Sequence, residues 1–184
     1  MDHGADSYRR FLDGDDGGLA EIIRDYNEGL TLYINSFVND LSAADELSED
    51  TFVKLGIRKP RFSGRSGFRT WLYAIGRNVA LDHLRRNARR RTVPLEHCAE
   101  QAGAELPETQ YLRQEQQRQV HQAMARLKSE YRQVLWLTYF EQFSAKEAAA
   151  VMKKSVHSVE NLVSRARQAL RAELDREGYV YEKL

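Results

Sequence analysis

Cysteine, proline and long apolar runs are scarce in this chain of 184 residues, which contains one cysteine and three prolines. A single cysteine excludes a disulfide within the chain and predicts a reducing, cytoplasmic environment. No apolar run approaches the length of a membrane span, and the first residues lack the apolar core of a signal peptide, so we expect no membrane insertion. Cys98 stands beside His97 with no second cysteine nearby, which favours an idle thiol over a metal site.

The charges of the chain nearly cancel, at a formal +1, but they are unevenly distributed. Five acids and no base stand between Asp40 and Asp50. Twelve lysines or arginines and a single acid, Asp82, stand between Lys54 and Arg91. Charge asymmetry of this kind concerns partners rather than fold. The basic stretch predicts a nucleic-acid partner, and the acidic stretch predicts a different, basic partner.

The segment 68–91 combines an apolar helical face with a basic and aromatic one. Trp71 and Tyr73 stand among its basic residues. Such a helix suits a surface that faces a polyanion with stackable bases. The alternative is a surface helix whose basic face is merely solvated. The apolar positions at helical spacing are Phe68, Leu72, Ile75, Val79 and Leu84.

The remaining first half predicts two further helices, a loop and a tail. Residues 1–18 are polar and contain glycine, so we expect a partly frayed tail. Apolar spacing over 19–38 predicts a long amphipathic helix. An acidic helix follows, starting at Ser42 and stopping at Gly56. A basic stretch over 57–67, broken by proline and glycine, is typical of a loop.

The second half carries the pattern of a helix-turn-helix. Ser144 and Glu147 form a capping box that opens a short helix. After a tight turn, Ser155 caps a longer helix with polar and basic residues near its start. In a helix-turn-helix, the second helix meets base edges in the major groove. An ordinary helical hairpin is the alternative.

No strand pattern is convincing, so the predicted fold is all-α with two small helical domains. A tail occupies 1–18, and the first domain occupies 19–92. A flexible linker is predicted over 93–107, because this stretch is aperiodic, lies between two prolines and contains acids but no lysine or arginine. The second domain occupies 108–184 and contains the helix-turn-helix.

The chain resembles a bacterial RNA polymerase sigma factor of the extracytoplasmic-function, or group four, class of the sigma-70 family. Residues 68–86 follow closely the region two pattern F-x-x-W-L-x-x-I-x-R-N-x-x-x-D-x-x-R-R. Residues 45–52 follow its acidic pattern loosely. Residues 131–167 resemble region four, with the helix-turn-helix. The resemblance covers about residues 19 to 175.

This resemblance implies binding to core bacterial RNA polymerase and to promoter DNA. The acidic helix would bind the clamp helices of the largest polymerase subunit through Asp45, Glu46, Glu49, Asp50 and Phe52. The basic loop over 57–67 and the helix predicted over 68–91 would capture the melted −10 element, with one base flipped into a protein pocket. The residues implied there are Arg61, Ser63, Arg65, Arg69, Trp71, Asn78, Asp82, Arg85 and Arg86.

The second domain would read the −35 element and touch the polymerase flap near residues 135–140. Many family members carry basic residues where this chain has Glu160-Asn161-Leu162, which leaves the −35 specificity open. Whether Trp71 is part of the core or faces DNA is also open. The residues implied at the −35 element are Ser155, His157, Ser158, Glu160, Asn161, Ser164, Arg165 and Arg167.

Competing functions explain less of the sequence. We find no phosphate loop, zinc-ligand spacing or nucleophile with its base, so we expect no enzyme, no catalytic residue, no cofactor and no metal. A stand-alone helix-turn-helix regulator explains the second half but not the acidic helix or the aromatic and basic helix. An RNA-binding adaptor is permitted only by the arginine run. The resemblance also implies an anti-sigma factor as a partner.

Overall fold

The computed structural model describes residues 2–90 and 118–179. All regular structure in these two ranges is helical, which confirms the all-α prediction. None of the helices in the described ranges has the length and apolar character needed to cross a membrane. The predicted linker over 93–107 lies outside the described residues.

Two groups of helices form the two predicted domains. The first domain contains α1 (His3–Leu12), α2 (Asp16–Val38), α3 (Leu41–Arg58) and α4 (Phe68–Arg90). In the second domain, α5 is described over 118–126, and a π-helical segment (Trp136–Phe140) extends α6. The other helices of the second domain are α6 (Ser129–Leu135), α7 (Ala145–Met152) and α8 (Val156–Arg176).

The N-terminal segment forms α1, so the prediction of a frayed tail over 1–18 is wrong. Tyr8 and Phe11 on α1 are buried in the core of the first domain. The Tyr8 hydroxyl donates to the Pro60 carbonyl oxygen at 2.7 Å, and its ring centroid lies 5.6 Å from that of Phe68. The polar composition concealed this helix, because its buried side consists of only four residues, two of them small.

Asp2 connects α1 to α4 because its carboxylate caps both helices. One oxygen accepts from the Ala5 amide at 3.3 Å, and the other accepts from the Phe68 amide at 2.6 Å. A carboxylate at a helix N-terminus satisfies free amide groups and interacts favourably with the positive end of the helix dipole. Gly4 permits this close approach, since a Cβ atom there would lie 2.4 Å from the Phe68 ring.

The acidic helix α3 is longer than the sequence predicts. Its N-cap is Asp40, whose carboxylate accepts a backbone amide hydrogen bond at 3.1 Å, so the helix begins one residue before Ser42. At the other end it passes through Gly56 and ends at Arg58, and the C-cap residue Lys59 has a left-handed backbone conformation with φ of 40°. The predicted stop at Gly56 is therefore wrong.

The helix-turn-helix is confirmed, together with both of its predicted caps. The Ser144 hydroxyl accepts from the Glu147 amide at 3.3 Å, and the Glu147 carboxylate accepts from the Ser144 amide at 2.9 Å. Lys153 ends α7 in a left-handed conformation, with φ of 54°. The Ser155 hydroxyl then accepts from the Ser158 amide at 3.1 Å and opens α8.

The two domains pack directly against each other. Helix α6 contacts α2, and α7 contacts α4. Phe143, from the loop before α7, is buried, and its ring meets Tyr73 of α4 edge to face at 5.2 Å between centroids. Arg132 of α6 donates from Nε to the carbonyl oxygen of Ser36 on α2 at 2.9 Å. This docking was not predicted from the sequence.

We expect Asp2→Ala to lower the free energy of unfolding by about 2 kcal/mol, since one substitution removes the caps of two helices. Urea unfolding followed by circular dichroism would measure this change. Asp13→Ala, at an exposed position after α1, is the control and should shift the midpoint little. Equal midpoints for the two variants would contradict the double-cap role of Asp2.

Candidate nucleic-acid interface

The exposed face of α4 holds four of the residues predicted to bind the −10 element. Asn78, Asp82, Arg85 and Arg86 are all exposed and lie three or four positions apart on one side of the helix. Arg85 pairs with the Asp82 carboxylate at 3.1 Å, and Arg86 donates from Nε to the Asp82 carbonyl oxygen at 3.3 Å. Asp82 therefore orients two guanidinium groups whose other N–H groups can meet phosphate.

The loop before α4 contains three of the predicted DNA contacts and is held in place by an aromatic side chain, Phe62. Phe62 is half-buried, and its ring centroid lies 5.7 Å from that of Phe68 and 5.2 Å from that of Trp71. This anchor fixes the middle of the loop on the first domain. Three predicted residues of the loop are exposed, namely Arg61, Ser63 and Arg65.

Trp71 is half-buried and packs within an aromatic cluster. Its ring centroid lies 5.3 Å from Tyr8, 5.2 Å from Phe62 and 5.4 Å from Phe68. Aromatic contacts of this kind stabilise beyond the area that they bury. Trp71 therefore supports the loop and α1 from within the domain, and its contact with DNA stays a prediction.

Arg69 also belongs to the predicted −10 site, but in this structure it contacts the second domain. Its guanidinium donates to the Glu141 carbonyl oxygen at 2.6 Å and pairs with the Glu141 carboxylate. It also lies over the Phe143 ring, 4.4 Å from the centroid. The Tyr73 hydroxyl donates to the same carboxylate at 2.7 Å, and burial raises the pKa of Tyr73.

A second contact between the domains involves the exposed face of α4. Lys153, in the turn of the helix-turn-helix, donates from Nζ to Asn78 Oδ1 at 3.2 Å. Two of the residues predicted to contact the −10 element, Arg69 and Asn78, are thus engaged by the second domain. Sequence reasoning missed Glu141 and Lys153, because no local pattern distinguishes them from solvated charges.

A cleft of about 410 Å³ lies between α3 and α4, with acids of α3 on one side and Arg86 of α4 on the other. The predicted polymerase contacts Asp45, Glu46, Glu49 and Asp50 are all exposed on α3. One domain therefore presents opposite charges on adjacent helices. The cleft is lined by Glu46, Leu47, Glu49, Asp50, His83, Arg86 and Asn87.

Phe52 cannot be a surface contact for a partner, so that prediction is wrong. Its side chain is only 5% exposed, because the phase of α3 directs it inward with Leu47 and Leu55. The same phase exposes Val53 at 54% and Ile57 at 79%. These two apolar residues extend the acidic face by one and two helical turns. Helical spacing counted from the buried positions of α3 would have predicted their exposure from the sequence.

The helix-turn-helix presents its predicted DNA-binding side chains on α8. The buried residues Val159, Leu162 and Ala166 fix this helix to the second domain. His157 forms a hydrogen bond with the Asn161 side chain at 3.0 Å, which orients that amide. The Ser155 hydroxyl is occupied as the N-cap. The predicted residues, all exposed, are Ser155, His157, Ser158, Glu160, Asn161, Ser164, Arg165 and Arg167.

Comparisons with family models and with protein sequences match both domains of the chain. The sigma-70 region 2 model matches residues 22–90, and the sigma-70 region 4 model matches residues 117–170. The chain is 32% identical to the RNA polymerase sigma-H factor of Pseudomonas aeruginosa, over 85% of this chain and 86% of that protein. It is 33% identical to the ECF RNA polymerase sigma factor SigC of Mycobacterium tuberculosis, over 76% of this chain and 75% of that protein.

Two solved structures share the fold. CnrH, in complex with the cytosolic domain of CnrY, matches with a TM-score of 0.64 and 27% identity, over 95% of this chain and 96% of that chain. The sigma factor RpoE of Bartonella quintana, in complex with the anti-sigma factor NepR, matches with a TM-score of 0.69 and 23% identity, over 85% of this chain and 96% of that chain.

We expect Phe52→Ala to lower the free energy of unfolding by about 3 to 5 kcal/mol, because it leaves a cavity in the core of the first domain. Ile57→Ala on the same helix should change it by less than about 0.5 kcal/mol, because that side chain is exposed. Chemical unfolding of both variants measures the difference. A larger loss for Ile57→Ala would show that the assigned phase of α3 is wrong.

Proposed function

Because this chain belongs to the bacterial RNA polymerase sigma factors of the sigma-70 family, in their extracytoplasmic-function class, we propose that three of its surfaces divide the work of initiation. The acidic face of α3 binds core polymerase, the loop and α4 capture the melted −10 element, and α8 contacts the −35 element. The observation that carries this division is the exposure of acidic and basic faces on adjacent helices of the region two domain.

The family assignment makes the chain a transcription initiation factor that directs RNA polymerase to promoters, and this role is consistent with a protein that is not an enzyme. It also disfavours a stand-alone helix-turn-helix regulator, since that alternative leaves the region two domain without a role. Both domains are matched in a single chain, and the relatives are matched across both. We place this activity in the cytoplasm, where core polymerase acts.

Docking on polymerase uses charge and apolar area together. Exposed acids on α3 attract a basic helical partner and favour fast, correctly oriented encounter. Val53 and Ile57 continue the same face and supply the apolar contact that a stable interface needs at its centre. Phe52 contributes indirectly, because it fixes the rotation of α3 from inside the core.

Capture of the −10 element requires binding but no covalent chemistry. Unstacking a base costs about a few kcal/mol, and stacking with hydrogen bonds in a protein pocket offsets that cost. Arg61 and Arg65 on the loop, with Arg85 and Arg86 on α4, provide cations for the phosphates of the opened strand. Asn78 provides an amide for a base edge. Strand separation is then trapped by the complex.

Contact with the −35 element uses the N-terminal half of α8. Asn161 offers an amide to adenine, and Glu160 can accept from a cytosine amine. The hydrogen bond between His157 and Asn161 restricts the rotamer of that amide before DNA arrives. Arg165 and Arg167 lie farther along the helix and suit phosphate contacts, which position the helix without specifying sequence.

We further propose that an anti-sigma factor binds this chain. Both structural relatives described above were solved as complexes, one with the cytosolic domain of CnrY and the other with the anti-sigma factor NepR. The relative of higher identity, CnrH, is matched across nearly its whole length. The proposal is therefore one of partner class and does not identify the partner.

Size-exclusion chromatography with core bacterial RNA polymerase tests the proposed function. We expect the chain to co-elute with the core enzyme and to permit specific initiation on a promoter library, while binding duplex DNA weakly by itself. Absence of co-elution, together with tight and salt-dependent duplex binding by the free chain, would instead indicate a stand-alone regulator.

We expect Asn78→Ala and Arg85→Ala to weaken promoter opening and leave polymerase binding intact. Loss of the base-edge contact of Asn78 typically costs about 1 to 3 kcal/mol, or roughly fivefold to a hundredfold in occupancy, and loss of Arg85 removes a phosphate contact. Permanganate footprinting of the opened −10 element measures opening, and co-elution serves as the control. Unchanged footprints would count against both assigned contacts.

Charge reversal on α3, as Asp45→Lys with Glu46→Lys, should weaken core polymerase binding and spare contacts with DNA. The reason is electrostatic, because like charges placed at a complementary interface slow encounter and cost affinity. A competition assay against the parent chain measures the loss, and Asp16→Lys at the start of α2 is a control on the same domain. Equal competition by the double variant and the parent would refute the docking role.

A further inference from the structure

The contact between the domains occupies part of the surface proposed for the −10 element. Arg69 is paired with Glu141, and Asn78 accepts a hydrogen bond from Lys153. Glu141 and Lys153 both belong to the region four domain. By contrast, the DNA-facing side chains of α8 remain exposed in the same arrangement. The docking therefore engages two residues of the −10 surface, whereas the residues proposed for the −35 element stay free of it.

The site that receives Glu141 is shaped for a carboxylate. The side chain of Glu141 is 12% exposed, and its carboxylate accepts from the Tyr73 hydroxyl and from Arg69. Gly29 of α2 lies beside the carboxylate and leaves room for it because it has no side chain. A Cβ atom at this position would lie 2.5 Å from the Tyr73 hydroxyl and 2.8 Å from a Glu141 carboxylate oxygen. Phe143 follows Glu141 and packs on Tyr73, which anchors the loop.

We propose that Glu141 is an internal substitute for the phosphate of the −10 strand, which occupies Arg69 and holds the region four domain over the −10 surface of the free chain. A guanidinium can donate to carboxylate oxygens and to phosphate oxygens in the same forked geometry, so one anion can replace the other. This inference rests on the proposed function, because it takes Arg69 and Asn78 as DNA contacts. The contact is autoinhibitory, since DNA must displace it.

The strength of this inhibition depends on the open fraction, which is the fraction of chains in which the two domains are separated. Apparent affinity for the −10 strand falls in proportion to that open fraction. Polymerase binding can raise that fraction if it favours the separated domains, because a ligand shifts an equilibrium only by its differential affinity for the two states. Premature contact with single-stranded DNA would thus be suppressed until the core enzyme is bound.

The test compares Glu141→Gln with Glu130→Gln. Both variants remove one negative charge from an ion pair, but Glu130 pairs with Lys154 inside the region four domain. Affinity for a short fluorescein-labelled single-stranded DNA of mixed sequence is measured by anisotropy. We expect Glu141→Gln to bind at least about fivefold more tightly than Glu130→Gln. Its salt dependence should be steeper by about 0.7, because Arg69 then neutralises one more phosphate.

Two further variants separate the contact from general charge effects. Gly29→Ala leaves the charge unchanged but places a methyl group where the Glu141 carboxylate lies, so it should also raise affinity. Arg69→Ala removes the cation that the carboxylate would otherwise occupy. In the Arg69→Ala background, Glu141→Gln should therefore bring no gain beyond that of Glu130→Gln. A gain that persists without Arg69 would overturn the inference.

Domain separation is measured independently of DNA by fluorescence transfer. Dyes are attached through Ala20→Cys on α2 and Ala172→Cys on α8, both exposed positions, in a Cys98→Ser chain. We expect lower transfer efficiency for Glu141→Gln and Gly29→Ala than for the parent and Glu130→Gln. Unchanged transfer for both, or separation without tighter binding of single-stranded DNA, would overturn the inference.

Failure of the proposed function gives a different pattern. If neither the parent nor Glu141→Gln co-elutes with core polymerase, the sigma factor roles of these surfaces are wrong. Domain separation with an Arg69-dependent gain in DNA affinity would still support an internal contact that controls access to α4. Co-elution of both variants without any gain would instead overturn the contact and leave the proposed function standing.

Discussion

The carboxylate of Glu141, held between Arg69 and Tyr73, is the interaction on which the arrangement of the two domains depends. A largely buried carboxylate is costly to hold without partners, so removing one partner leaves an uncompensated charge. Gly29 makes the pocket deep enough for this group, and Phe143 adds apolar contact beside it. The docked arrangement is therefore specific to these partners, since loss of Arg69 would leave the Glu141 carboxylate without its paired cation.

Helix α4 serves several purposes at once because its faces have different chemistry. Its buried face forms the core with α2 and α3, and its first turn is capped by Asp2. The aromatic cluster around Trp71 supports α1 and the basic loop. The exposed face bears the residues proposed to bind DNA, and the turns near its start contact the region four domain. Substitutions on α4 are therefore expected to affect the stability of the first domain, DNA binding and the docking of the two domains.

Local patterns were sufficient for much of the fold and of the helix-turn-helix. The capping box at Ser144 and the cap at Ser155 are set by neighbouring residues, so sequence alone located them. The frayed tail was a wrong prediction because α1 is held by distant partners, namely Pro60 and Phe68. Phe52 was wrongly predicted to contact a partner because it was assigned from the acidic family pattern. The rotation of α3 about its axis decides instead which of its residues are buried. Glu141 carried no local signal, since its partners lie about 70 positions away.

The most direct test of this account is a structure of the chain on core RNA polymerase with an opened promoter, determined by electron cryomicroscopy. The account predicts that Arg69 has left Glu141 and lies within hydrogen-bond distance of the −10 strand, with Asn78 at a base edge and the exposed acids of α3 against the polymerase clamp helices. An open complex in which Arg69 remains paired with Glu141, or in which α4 faces away from DNA, would contradict it.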